Sequence, residues 1–378
     1  MELIKRVTEI LKKYDICDDC LGRQFHELNP KIPNKEKGKI LRNYAILNST
    51  YNGEKIEFKK NENCCLCNNI FSRIDFYVQE VKKELNKYEY ETFLIGSKIP
   101  PELISKEEDF WEENGVDLCE AIKSDFNRAL GISVRKEINR KMKFENPDIM
   151  AVVDLEKNKI NLQISPLYIQ GSYKKKTVKG KVQTLIENIL LKHTQSTEAV
   201  FYSIGRLEQN VITSCYRPFV IMLRNPKIRK PKLTKMRAEI NKLKSVAVSG
   251  LSYSDKDSID KLKNEKITAS YKITIEFRKK FKEDEIKEIK KKLINLRNRR
   301  VLQFLKQKTR NPYIRRLNVK VEGKKFIIDV ESTVGFSVNS FLDGKSKPNL
   351  TKLIGREFKV KEIILKKYRV MKDHEMYS

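Results

Sequence analysis

Glu208 has the most suggestive chemical setting in this chain. It stands in Tyr202-Ser-Ile-Gly205-Arg206-Leu207-Glu208-Gln-Asn210-Val211, three residues after a glycine and two after an arginine, with apolar runs on either side. That order reads as a strand that bends at Gly205 and presents one carboxylate at a cleft, with Arg206 two residues before it. Gly-Arg-x-Glu also arises by chance, and an ordinary turn with a surface glutamate has the same signature. A second set of reactive residues is Cys17-x-x-Cys20 and, much later, Cys64-Cys65-Leu-Cys67. Two such knuckles supply four thiolates, the donor set of a closed tetrahedral zinc site, if the helix between them brings Cys17, Cys20, Cys64 and Cys67 together. Cys65 offers an alternative register to Cys64, and the isolated Cys119 and Cys215 read as packing residues. A third set is basic: Lys174, Lys175, Lys176, Lys179 and Lys181 surround Tyr173, which suits phosphate contact and base stacking on an exposed ring, or else a solvated basic loop.

The charge of the whole chain bears on that choice. Its 378 residues hold 79 Lys and Arg against 50 Asp and Glu, a net charge of +29. Such an excess repels itself in a compact state, and an anionic partner, nucleic acid above all, is the economical explanation. No apolar run approaches the ~18 residues of a membrane span, and the N-terminus lacks a signal-peptide pattern, so a soluble, cytoplasmic protein is expected. In that compartment seven cysteines point to metal or inert thiols more than to disulfides.

The elements that must position these residues fall into three expected domains. Residues 1 to 75 carry the cysteine pairs, an amphipathic helix through Val7, Ile10 and Leu11, and a basic helix from Lys35 to Leu47. Residues 76 to 180 alternate helix and strand: a helix over Phe76–Tyr88, a strand at Thr92–Gly96, a long helix over Val116–Ile138, then strands over Pro147–Asp154 and Lys159–Tyr173. Residues 181 to 378 hold the Gly205 bend, an alternating strand over Lys266–Phe277, a charged helix over Glu283–Asn295 and a strongly basic stretch over Arg297–Arg316. The expected fold class is α+β and multidomain.

Several of these segments, in order along nearly the whole chain, resemble the archaeal and eukaryotic tRNA pseudouridine synthases that act on positions 54 and 55. Glu208 falls where that family reads Gly-Arg-Glu-Asp-x-Asp-Val, and Tyr216-Arg217-Pro218-Phe219 follows its Gly-Arg-Pro-Phe. Cys17-x-x-Cys20-Leu-Gly-Arg23 and Asn34-Lys-Glu-Lys-Gly38 resemble its N-terminal module. Phe93-Leu-Ile-Gly, Ile122-Lys-Ser-Asp-Phe-Asn-Arg and Pro166-Leu-Tyr-Ile-Gln-Gly-Ser-Tyr-Lys look like its THUMP domain. Tyr271 matches the tyrosine that stacks on the target base, and Gly323-Lys-Lys-Phe326-Ile-Ile328 is read against its Gly-Thr-Tyr-Ile-Lys-Glu strand.

The resemblance implies an N-terminal zinc-bearing THUMP region and a C-terminal mixed-sheet catalytic domain, a tRNA T-arm as partner, zinc, no organic cofactor and a monomer. It implies catalytic roles for the position of Glu208, for Arg206 and for Tyr271, and substrate contact by Tyr271, Phe326, Arg217, Tyr173, Lys174, Lys175 and Lys176. Two departures stand out: Glu208 replaces an aspartate, and by this register Ile328 replaces the lysine that pairs with it. A tRNA-binding protein without catalysis, acting as a chaperone or a partner subunit, is therefore the competing expectation. A THUMP-bearing methyltransferase or thiouridine synthetase is disfavoured, since no Gly-rich nucleotide loop follows a strand.

Overall fold

The computed structural model describes residues 2–54, 57–59, 62–205, 207–265, 267–305, 308–333 and 335–371. Arg206, and residues 306 and 307 of the basic stretch, lie outside them. The chain divides into two compact units, Met1–Ser165 and Pro166–Ser378.

Among the described residues of the first unit, six α-helices and one sheet share a core. The helices are α1 (Glu2–Lys13), α2 (Asp18–Gln24), α3 (Asn34–Tyr51), α4 (Ile74–Leu85), α5 (Pro101–Asn114) and α6 (Ile122–Ile138). The strands are β1 (Thr92–Lys98), β2 (Lys141–Met142), β3 (Ile149–Asp154) and β4 (Lys159–Ile164), in the order β2-β1-β3-β4. Val7, Ile10 and Leu11 of α1 and Val78 and Val81 of α4 join Phe93, Ile95 and Ala151 of the strands in one cluster. The cysteine module and the strands therefore form one body, not two.

Two glycines set how α2 and α3 cross. A Cβ on Gly22 would lie 1.8 Å from the carbonyl oxygen of Asn34, and one on Gly38 would lie 1.8 Å from that of Asp18. The helices touch backbone to backbone, so the glycines of the two N-terminal motifs are the contact points. The helix expected over Val116–Ile138 starts only at Ile122. The preceding residues form a loop in which Glu120 donates its backbone N–H to the carbonyl of Arg23 at 2.9 Å.

The second unit begins at Pro166. The single strand expected over Lys159–Tyr173 is broken there, because proline has no N–H for a sheet ladder. Its second half, β5 (Leu167–Lys175), belongs to the sheet β6-β8-β5-β9 with β6 (Glu198–Ser203), β8 (Arg217–Arg224) and β9 (Val246–Ser254). A larger sheet has the order β11-β14-β15-β10-β17-β7. It contains β7 (Ile212–Thr213), β10 (Ile267–Glu276), β11 (Arg299–Arg300), β14 (Tyr313–Glu322), β15 (Lys325–Thr333) and β17 (Lys359–Val370). Its neighbours are antiparallel except β17 and β7. A small third sheet, β13-β12-β16, is built from β12 (Leu302–Leu305), β13 (Lys308–Arg310) and β16 (Ser346–Lys347). The helices are α7 (Val182–Thr194), α8 (Leu233–Asn241), α9 (Asp257–Asn264), α10 (Glu283–Ile294), α11 (Val338–Leu342) and α12 (Leu350–Ile354).

The Lys175 backbone N–H donates to Thr213 Oγ1 at 2.7 Å, tying β5 to β7 where the two larger sheets meet. The Gly205–Asn210 segment runs from β6 to β7 at that junction. Asparagine occupies the left-handed turn positions 68, 69, 139, 146, 158, 225 and 298. Its short polar side chain tolerates that conformation better than most. Among the described residues no helix is long and apolar enough to cross a membrane.

A candidate active site at Glu208 and a candidate metal centre

The bend before Glu208 is held from beneath by a buried cation. Arg217, at the start of β8, is 1% exposed. It donates to the carbonyls of Ile204 and Gly205, the latter at 3.0 Å, and to the Tyr173 hydroxyl at 2.8 Å. Its guanidinium lies 5.5 Å from the Tyr173 ring centroid and 5.3 Å from that of Tyr368. Gly205 has φ +60°, a backbone value that glycine adopts without penalty. The turn closes where Val211 donates its backbone N–H to the Glu208 carbonyl at 3.2 Å.

Beyond the bend the Glu208 side chain meets the start of α11. Ser337, the N-cap of that helix, donates its hydroxyl to Oε1. The Asn339 backbone N–H approaches Oε2 at 3.1 Å and Oε1 at 3.4 Å. Asn210 and Asn339 exchange side-chain amide bonds of 2.7 and 3.0 Å, which fastens the Glu208 turn to the helix. Burial pushes the Glu208 carboxyl above its ordinary range, Asp343 adds to this, and the bonds from Ser337 and from the Asn339 and Val338 amides pull the other way. Among the described residues no basic side chain is bonded to it.

Tyr271 is on β10, paired with Val330 of β15 and Leu365 of β17. Its ring lies 6.2 Å from that of Phe336, inclined by 45°. Burial drives its phenol pKa far up, with Tyr368 adding to the rise, and it is close enough to Glu208 and Arg217 for both charges to act on it. The structure therefore brings together Glu208, Tyr271 and Arg217 of the expected site.

Other expected site residues are not there. Ile328 and Phe326 are 0% exposed and face the core of the large sheet, Phe326 against Phe277 and Phe281. The segment that meets Glu208 lies past the end of β15, at Ser337–Asn339, so the expected place of residue 328 beside Glu208 is corrected: Ile328 is buried in the core of the large sheet. Tyr173 is 4% exposed and packs on Phe201 and Phe219 instead of presenting its ring to solvent. Lys175 is equally enclosed, its amine donating to the Gln209 carbonyl, and burial lowers its pKa. Substrate contact does not fit Tyr173, Lys175, Phe326 or Arg217 as they stand. A strand has period two, so Lys174 and Lys176 take the other face; Lys176 is exposed, and the Lys174 amine lies 5.9 Å from the ring of exposed Tyr216.

Ser337, Asn339 and Tyr368 complete the site without belonging to any of the motifs above. Ser337-Val-Asn-Ser340 has the spacing of a capping serine, which was the one available signal.

In the first unit Cys17, Cys20, Cys64 and Cys67 converge, with all four sulfurs within 4.8 Å of one another and that of Cys17 3.7 Å from that of Cys67. Tetrahedral zinc with bonds of ~2.3 Å needs sulfurs about 3.8 Å apart, so the set fits this ion. Cys65 stays outside, its N–H spent on the Asp15 carbonyl at 2.8 Å. Asn69 shapes the second knuckle: it has φ +58°, and its Oδ1 accepts the Cys64 N–H at 3.0 Å.

Comparison with known proteins gives two adjoining matches to family profiles, "Pus10 THUMP domain, archaeal" over residues 77–154 and "Pus10, C-terminal" over residues 156–367. Similar relatives are the tRNA pseudouridine synthases Pus10 of Pyrococcus furiosus, 26% identical over 94% of this chain and 95% of that one, and of Methanopyrus kandleri, 27% identical over 93% and 95%. That of Methanocaldococcus jannaschii is 27% identical over 99% of this chain and 95% of its own. A solved Cbf5-Nop10-Gar1 complex is matched over 52% of this chain and 48% of that chain at 12% identity, with a TM-score of 0.30, too loose a likeness to bear on the site.

Proposed function

The chain belongs to the Pus10 family, and from that premise we infer that it is a tRNA pseudouridine synthase in which Glu208 is the attacking carboxylate. The observation that carries the assignment of Glu208 is its placement: a half-buried acid, fixed at both ends of its turn, beside the ring of Tyr271. The reaction is an isomerisation. The Glu208 carboxylate attacks C1′ of the ribose as its bond to N1 of uracil breaks, the freed base turns, and the bond from C1′ to C5 forms as the carboxylate leaves, while C5 gives up a proton and N1 gains one. Atoms balance without a co-substrate, so the protein's task is to hold an unstacked base and keep water away.

Tyr271 provides the ring face for the flipped uracil and stays a neutral phenol throughout. Arg217 acts at one remove, by fixing the carbonyls of Ile204 and Gly205 and so the direction in which Glu208 leaves the bend. Arg206, two residues before Glu208 in the sequence, is assigned as the cation of the carboxylate on that spacing alone. The substrate is the T-arm of tRNA, with the uridine at position 54, at 55 or at both as target, and the protein works as a cytoplasmic monomer. Incubation with unmodified tRNA, followed by mapping of pseudouridine at single-nucleotide resolution, tests this. Product at 54 or 55 is expected, and tight binding without any product would sink the enzymatic reading.

Affinity for that RNA resides in phosphate contacts made by the exposed Lys176, the half-buried Lys174 and the arginines of the Arg297–Arg316 stretch. With about six phosphates neutralised, binding should weaken roughly 10³-fold between 50 and 200 mM salt, taking duplex DNA as a guide. Replacing Lys174 and Lys176 together by Ala should lower the salt slope by about 2 and weaken all tRNAs alike. A slope unchanged in that variant would remove the two lysines from the interface.

The cysteine cluster holds zinc as a structural ion. Four thiolates leave no coordination position open for substrate, and what the ion supplies when bound is cross-linking of two distant knuckles.

A further inference from the structure

Arg23, the last residue of the Cys17-x-x-Cys20-Leu-Gly-Arg23 motif, is 2% exposed, and so deep a guanidinium demands partners. One nitrogen has them: Nη1 donates to the buried Glu107 carboxylate of α5 and to the Glu120 carbonyl at 3.3 Å. The same Glu107 oxygen accepts the Ile122 backbone N–H at 2.8 Å, where α6 begins. Nε and Nη2 of Arg23 are buried and have no hydrogen-bond partner among the described residues. Unpaired buried donors of this kind are rare and call for an explanation.

Cys20 lies one turn earlier on the same helix, so both side chains project from one face of α2, and its sulfur is near enough to act electrostatically on the guanidinium. We propose that Arg23 is a positioning residue of the metal centre, its open N–H edge turned to the Cys20 thiolate while its other edge is anchored by Glu107. Four thiolates around a divalent ion carry two net negative charges, and a buried cation beside one of them offsets part of that excess. Outer partners of this type hold a ligand's orientation and charge, and their loss commonly weakens metal binding by ~10- to 100-fold. The anchoring also links the metal to α5 and α6.

The inference rests on the zinc reading above, and the test separates the two. Zinc affinity is measured on the full chain by competition with a chromophoric chelator for wild type, E107Q and R23M/E107Q. E107Q breaks the ion pair but keeps the cation, so it should bind zinc as tightly as wild type or more tightly. R23M/E107Q differs from it only at Arg23 and should bind about 10- to 100-fold more weakly. Equal affinity in the two variants, or equal weakening of both relative to wild type, overturns the role of Arg23. If R23M/E107Q does not fold, R23K/E107Q takes its place: lysine lacks the planar fork, so a loss of roughly tenfold is expected, and no loss overturns the proposal. A folded wild type that takes up no zinc removes the metal reading itself.

Discussion

Glu208→Gln should lower the rate of pseudouridine formation by about 10⁴-fold or more, the scale seen when a nucleophile is deleted, while tRNA affinity and melting temperature stay near wild type. The amide is isosteric, and its single oxygen at the place of Oε1 can accept from Ser337 and, at 3.4 Å, from the Asn339 N–H, so the bend keeps its main anchor while the attacking carboxylate is lost. Glu208→Asp should cost about 10²-fold, because a side chain shorter by one methylene is displaced by ~1 Å from both the substrate and its partners. The pH profile carries a second signature. Attack requires the ionised carboxylate, so the rate should fall on the acid side, through a pKa that burial has moved above the ordinary glutamate value. Ser337→Ala removes a bond that lowers that pKa, so the acid limb should move to higher pH, and Ser337→Thr should restore it. Asp343 and Tyr271 also face Glu208, and both persist in these variants. Undiminished product from Glu208→Gln would exclude Glu208 as nucleophile.

Removal of metal should have the largest effect on stability. Structural zinc in small thiolate sites is bound with an apparent free energy of about 10–16 kcal/mol at neutral pH, and a site of four reduced cysteines forfeits that contribution on chelation. The first unit shares one core from α1 to β3, and Cys20, Cys64 and Cys67 are members of it. A strong chelator should therefore open that unit to protease around the knuckles and α2, and lower its unfolding temperature, while the second unit, which has no part in the cluster, melts as before. Less than about half an equivalent of zinc in freshly purified protein, together with an unchanged digestion pattern, would count against it.

Much of the site could be read from the sequence because its signals are local. A glycine bend with an acid three residues on, and paired cysteines at fixed spacing, keep their meaning wherever they lie in the fold. What failed depended on which way a strand faces. Lys174, Lys175 and Lys176 are alike as letters, yet the pleat turns Lys175 inward beside Tyr173. Phe326, Ile328 and Val330 give the apolar alternation of a strand, and alternation alone cannot say which end of β15 approaches Glu208. The break at Pro166 was written in the chain, but the apolar pattern on either side of it was stronger than the single residue.

The crossing of α2 and α3 bears on how freely this module can vary. Tyr44, Leu47 and Tyr51 line the outer side of α3 and are exposed, so most exchanges there need disturb no neighbour. At positions 22 and 38 the opposite holds, since each alpha carbon faces the other helix's main chain and any mutation, even the addition of one carbon, must push apart the helix that carries Cys20 and its partner. A side-chain contact can be repaired by a compensating substitution across the interface; a contact between two backbones offers nothing to substitute. At these two positions of the cysteine module the crossing itself, not any side-chain contact, excludes every residue but glycine.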